Sequence, residues 1–141
     1  MVKFMVPEHI QSQLHVYHKV FVGCLIQDPK ERLLLIQRSS KVSKSGVWEV
    51  PYKKLEKFES IEEGCRRAVL MKTNLKVHRI LEFVQAKTFD FEDQRCITLN
   101  ILLTCSGDIG LTKEHSDYIW WDTAYNSSKL ERYLNELGLN V

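Results

Sequence analysis

The stretch "ESIEEGCRRAVLMKTNL" (59–75) opens with acid at Glu59, Glu62 and Glu63, then carries Ala68, Met71 and Lys72 in its second half. Read as a helix, it brings positions 68, 71 and 72 onto one face, because residues three and four apart lie together. A helix face of that kind could hold a hard divalent cation only if it offered several oxygen ligands. This one offers a methyl, a thioether and an ammonium. Met71 is a soft, weak ligand and Lys72 repels a cation. Glu59 alone is not a magnesium site, so no metal is expected on this helix. The other charges gather close by: Lys53, Lys54 and Lys57 precede the helix, and Arg38 stands upstream. Ammonium and guanidinium groups suit a phosphate-bearing ligand. The plain alternative for the lysine run is a solvated face.

The elements that must position these residues read as strands, a helix, strands and a closing helix. "HKVFVGCLIQ" (18–27) and "RLLLIQRS" (32–39) are apolar and strand-like around the turn "DPKE", and could pair as a hairpin. "VWEVPYKKLE" (47–56) is extended but broken by Pro51. In the helix Ser60 supplies the cap, Glu62 and Glu63 favour its first turn, and Asn74 marks a left-handed stop. Ile61, Cys65, Ala68 and Val69 form its inward stripe. Two long strands (76–91 and 96–105) follow, joined by "EDQR", then a short strand (117–122) and a helix over 127–138. On the short strand, Trp120 and Trp121 alternate, which predicts one packed inward and one facing out. The order predicts an α/β or α+β domain with helices covering a mixed sheet.

Composition bounds the partners. The chain has 141 residues, 44% hydrophobic and 27% charged, with a formal net charge of +2. That fits one domain spanning 1–141, with residues 1–14 as an unassigned lead-in. The charge is too slight and too dispersed for a dedicated nucleic-acid binder. Apolar runs such as "LLLI" are far too short to span a bilayer. No targeting segment is evident at the start, so the cytosol is the default compartment. Cys24, Cys65, Cys96 and Cys105 show no paired spacing and read as small buried hydrophobes with free thiols. The five histidines show no metal-ligand spacing and read as strand-face or surface residues.

The order "LLLIQRS", "GVWEVP", "KLEKFES", "RRAV" and "EHSDYIWWD" resembles the Nudix hydrolase family (MutT-like fold) from about His18 onward. The family's box runs Gly, five residues, Glu, seven residues, Arg-Glu, apolar, any, Glu-Glu, any, Gly, apolar. Laid on this chain, its first Gly falls on Lys53, its first Glu on Glu59 and its Arg on Arg67. The apolar positions are Val69 and Leu75, and the last Gly is Asn74. The three remaining glutamates fall on Ala68, Met71 and Lys72, so the box is degenerate. The resemblance implies an α/β/α sandwich with a mixed central sheet.

It also implies roles. In the family the helix glutamates hold Mg²⁺ or Mn²⁺ that clamps a diphosphate and helps activate water. Glu59 and Arg67 match a pair that braces the loop onto the helix. Arg38 matches a basic residue facing the nucleotide pocket, and Trp48 a core aromatic. Arg38, Lys53, Lys54 and Lys72 are thus the substrate-binding candidates. The expected function is a Nudix-fold protein without ordinary metal-dependent hydrolysis, binding a nucleotide-like anion or a protein partner, with no cofactor. One alternative is an active hydrolase of a nucleoside diphosphate linked to another moiety. It would use Mg²⁺ at a displaced site built from Glu56, Glu59, Glu92 or Asp93, although 92 and 93 also read as an ordinary polar turn. A third reading is a subunit whose sheet or helix face docks another protein.

Overall fold

A computed structural model describes residues 5–122, and the helix expected over 127–138 lies outside them. After a short helix α1 (Glu8–Gln11) and a 3-10 turn (Leu14–Val16), the chain forms β1 (Lys19–Ile26), β2 (Arg32–Arg38), β3 (Trp48–Glu49) and β4 (Tyr52–Lys54). Helix α2 (Ile61–Thr73), β5 (Lys76–Phe91), β6 (Gln94–Ser106) and β7 (His115–Asp122) follow. The strands form a mixed four-stranded sheet, β4-β1-β6-β5, and a three-stranded sheet, β3-β2-β7. β1 runs parallel to β6 and antiparallel to β4.

The expected β1–β2 hairpin does not form. β1 and β2 belong to different sheets, linked near the turn by the single bridge between Gln27 and Leu33. The cause lies in their side chains. Both strands are apolar on both faces, so each needs cover on two sides, which central positions in two packed sheets provide. Val22, Cys24 and Ile26 of β1 join Leu34 and Ile36 of β2 in a core shared with α2 and β6, whereas Leu25, Leu33, Leu35 and Val50 form a second core. Pro51 sits where the segment 48–54 leaves one sheet for the other: β3 pairs with β2 and β4 with β1. A residue without an N–H is tolerated at such a break.

Trp120 and Trp121 also depart from expectation. They lie on opposite faces of β7 as alternation requires, but Trp120 packs on the first core and Trp121 on the second, so neither is the outward residue. Trp48 packs on the second core, as expected of a core aromatic.

Helix α2 follows its sequence closely. Ser60 accepts the Glu63 N–H and the Glu63 side chain accepts the Ser60 N–H, a reciprocal capping box. Cys65, Ala68 and Val69 are fully buried under the sheet. Asn74 ends the helix at φ 63°, the left-handed conformation that asparagine tolerates. Three of the cysteines are buried, Cys105 is half-buried, and all four are free thiols. Burial pushes the Cys105 thiol up to about 12, consistent with an inert packing residue.

Candidate functional site

The loop entering α2 is held chiefly by the ion pair of Arg67 with Glu59. Arg67 donates through Nε to Glu59 Oε2 at 2.7 Å and through Nη2 to Glu59 Oε1 at 2.9 Å. The same Nη2 donates to the Lys54 carbonyl at 2.7 Å, and Glu59 Oε1 accepts the Glu56 N–H at 3.0 Å. Helix, loop and the end of β4 are thus fastened by a two-pronged guanidinium–carboxylate contact. The Arg67 hydrogen bond holds the Glu59 carboxyl below the usual glutamate range, against a smaller opposing effect of burial. Glu56 is exposed and lies 3.6 Å from Arg67 Nη1.

Sheet register assembles a second cluster. Arg38 pairs with His115 across β2–β7, and Ile36 with Glu49 across β2–β3, so Arg38, Glu49 and His115 converge. Arg38 Nη1 donates to Glu49 Oε1 at 3.1 Å and Nε to the Ser43 carbonyl at 2.7 Å. His115 Nε2 lies 3.5 Å from Glu49 Oε2. Glu49 is 5% and His115 4% exposed, and His115 Nδ1 has no hydrogen-bond partner among the described residues. Burial, the largest single effect, pulls the Arg38 guanidinium down, but the hydrogen bond and charge of Glu49, with smaller contributions from Tyr52 and Glu114, together hold it above its ordinary value. Tyr52 is raised by burial and by the Glu49 charge. Arg38, expected to face a ligand, has its donors turned to an internal carboxylate and a loop carbonyl.

Lys72 is similarly engaged. Its Nζ lies 3.2 Å from Glu114 Oε2, and its side chain is only 15% exposed. Pairing sets Lys72 apart from the other candidate lysines, although Lys53 also acts on the Glu114 carboxyl. Lys53, Lys54 and Lys57 line an open groove of about 1170 Å³ between the start of β1, β4 and the loop before α2, with Arg67, Tyr17 and Phe58 among its other walls. Phe58 is 95% exposed, with Lys57 Nζ 5.3 Å from its ring centre.

Glu92 and Asp93 form the exposed two-residue turn between β5 and β6, with φ 49° and 64°. Paired positive φ values are those of the tight turn that suits twisted hairpin strands. The chemistry of the donors on α2 does not fit a divalent cation. Ala68 is buried, Met71 is an exposed thioether and Lys72 carries a positive charge. Among the described residues no group of three or more His, Cys, Asp or Glu is placed to hold a metal ion.

Glu49, Glu114 and His115 are absent from the residues singled out by sequence. Their partners lie 11 to 66 positions away, beyond any local spacing rule. The one available signal was "EHSDYIWWD", which places an acid and a histidine at the start of a strand.

A helix braced by a loop glutamate beneath a mixed sheet sets this chain among α/β domains. It belongs to the Nudix family: the NUDIX domain profile matches residues 17–128. The fold is similar to that of a MutT protein from Methanosarcina mazei, at 25% identity and TM-score 0.66, covering 83% of this chain and 80% of that one. A MutT NUDIX hydrolase from Burkholderia pseudomallei (19% identity, TM-score 0.64, 73% and 81% covered) shares the fold. So does an Ap4A hydrolase of C. elegans (16%, 0.61, 86% and 91%). A comparison by sequence with curated proteins returned no match. Among the described residues no helix is long and apolar enough to cross a membrane.

Proposed function

We propose that this Nudix domain binds a nucleotide-like anion without ordinary metal-dependent hydrolysis. The observation that carries the reading is the face of α2, where the three box positions hold a buried methyl, an exposed thioether and a lysine already paired with Glu114. Without a divalent cation, charge for a phosphate must come from side chains. Lys53, Lys54 and Lys57 supply it in the groove beside β4, and lysine binds phosphate as a point charge. The displaced-carboxylate alternative is disfavoured by the bonds of its members: Glu59 is engaged twice by Arg67, and Glu56 adjoins the same guanidinium. A cytosolic setting suits such a ligand.

Calorimetry with ADP-ribose, with and without EDTA, tests the proposal. Binding is expected to be weak, unchanged by chelator and weakened by salt, as for solvent-exposed charges. Lys53→Ala with Lys54→Ala should abolish it. Rapid Mg²⁺-dependent release of AMP, or no heat at millimolar ligand, would overturn it.

A further inference from the structure

We propose that the groove beside β4 is a track for single-stranded nucleic acid, holding several phosphates in a row and stacking a base on Phe58. Such a track rests on the anion site of the proposed function and extends it from one nucleotide to several. Two independent features support it: a row of cations without ion-pair partners, and an aromatic ring placed against its own backbone preference.

The cations come from three places in the chain. Lys19 opens β1, Lys53 and Lys54 lie on β4, and Lys57 stands in the loop before α2. Antiparallel pairing of β1 with β4 gathers them along one edge of the four-stranded sheet. Among the described residues none of the four forms a salt bridge, whereas Arg38, Arg67 and Lys72 all do. Glu56, the acid among the described lining residues, lies 3.6 Å from Arg67 Nη1, which offsets its charge. The groove holds about 1170 Å³, above the roughly 300–1,000 Å³ of pockets that close around one small ligand. The slight net charge of the chain argues against broad coating of nucleic acid, not against one local track of four cations.

Phe58 supplies the second feature. The Glu56 carbonyl accepts the Glu59 N–H at 3.1 Å, closing a four-residue turn in which Phe58 is third. Its φ of +67° is the left-handed conformation that favours glycine at that place. A phenylalanine held there, 95% exposed, gains almost no burial to offset the strain. Lys57 Nζ lies 5.3 Å from the ring centre, so a flat apolar face and a cation share one turn. That pairing matches the base and phosphate of a nucleotide, and the lysines beyond it match the phosphates of a continuing strand. An acidic peptide answers the lysines but leaves the ring without a partner.

Fluorescence anisotropy of the full chain with labelled octamers of uridine and of thymidine, between about 50 and 200 mM salt, tests the track. For a single strand each contacted phosphate adds about 0.7 to the slope of log affinity against log salt, so a slope of about 3 is expected. Lys19→Ala should lower that slope by about 0.7. Phe58→Gly should weaken binding about tenfold at an unchanged slope. Binding of either octamer in this way supports the track, and the tighter one shows whether RNA or DNA is favoured. An abasic octamer or an octaglutamate peptide bound as tightly, or parent-like affinity in Phe58→Gly, would each overturn it. ADP-ribose bound while both octamers fail would overturn the track and leave the anion site standing. Failure of all three probes would remove both.

Discussion

Glu59 and Arg67 show how far single residues could be read. Their separation along the sequence and their place in the box implied a brace, and the structure brings them into two short hydrogen bonds, with a third from Arg67 to the Lys54 carbonyl. Arg38 and Lys72 were read from their places in the family pattern, as contacts to a ligand, and their partners Glu49 and Glu114 lie in other elements. Only tertiary packing reveals that these charges are internally matched. The brace has a measurable consequence. Glu59→Gln or Arg67→Ala should each lower unfolding free energy by about 1–3 kcal/mol, a range between exposed and buried pairs. The pH dependence has a defined sign. The Glu59 carboxyl is depressed in the folded state, so its stabilisation is present above the unfolded-state value and is lost as pH falls through the folded one. Asp28 and Glu114 act in the same direction. Urea midpoints should therefore decline on the acid side of about pH 4.3, less steeply in Glu59→Gln. Parent-like midpoints in both variants would refute the brace.

Among the elements, α2 was the most legible because its signals are local. Its cap, acidic first turn, apolar stripe and stop all sit within one segment, and each appears where the periodicity requires it. Strand partners were far less legible. Two apolar strands around a turn are consistent either with a hairpin or with two central strands of packed sheets, and side-chain pattern alone does not decide between them. What decided was burial on both faces of β1 and β2, which a hairpin on one core could not supply. The ends of α2 carry their own test. Ser60→Ala should cost about 1 kcal/mol by removing the cap acceptor. Asn74→Ala should cost a similar ~1 kcal/mol, because φ 63° is strained for alanine, whereas Asn74→Gly should be nearly neutral. Chemical denaturation of the three variants distinguishes these outcomes, and an Asn74→Gly loss equal to that of alanine would point to side-chain contacts instead.

For the molecule as a whole, the formal charge of +2 conceals an uneven surface. Much of the charge is paired within the fold, as at Arg38–Glu49, Arg67–Glu59 and Lys72–Glu114, while several lysines face one groove beside β4. Phe58 belongs to that groove and is anomalous in two respects: it is a 95% exposed aromatic, and its φ is +67°, a left-handed conformation costly for a bulky residue. Exposure means that little packing is lost on removing the ring. Glycine at this position relieves a backbone cost of roughly 1–2 kcal/mol and gives back about 0.5–1 kcal/mol in chain entropy. Phe58→Gly should therefore leave the melting temperature unchanged or raise it slightly. If the groove binds a nucleotide-like anion, the same variant should weaken that binding, since an aromatic face beside a lysine offers stacking to a base next to charge for its phosphate. Thermal melting and calorimetry on one preparation read both effects. Reduced stability would show that the ring is structural. Unchanged affinity would remove Phe58 from the binding surface and leave the lysines alone to account for it.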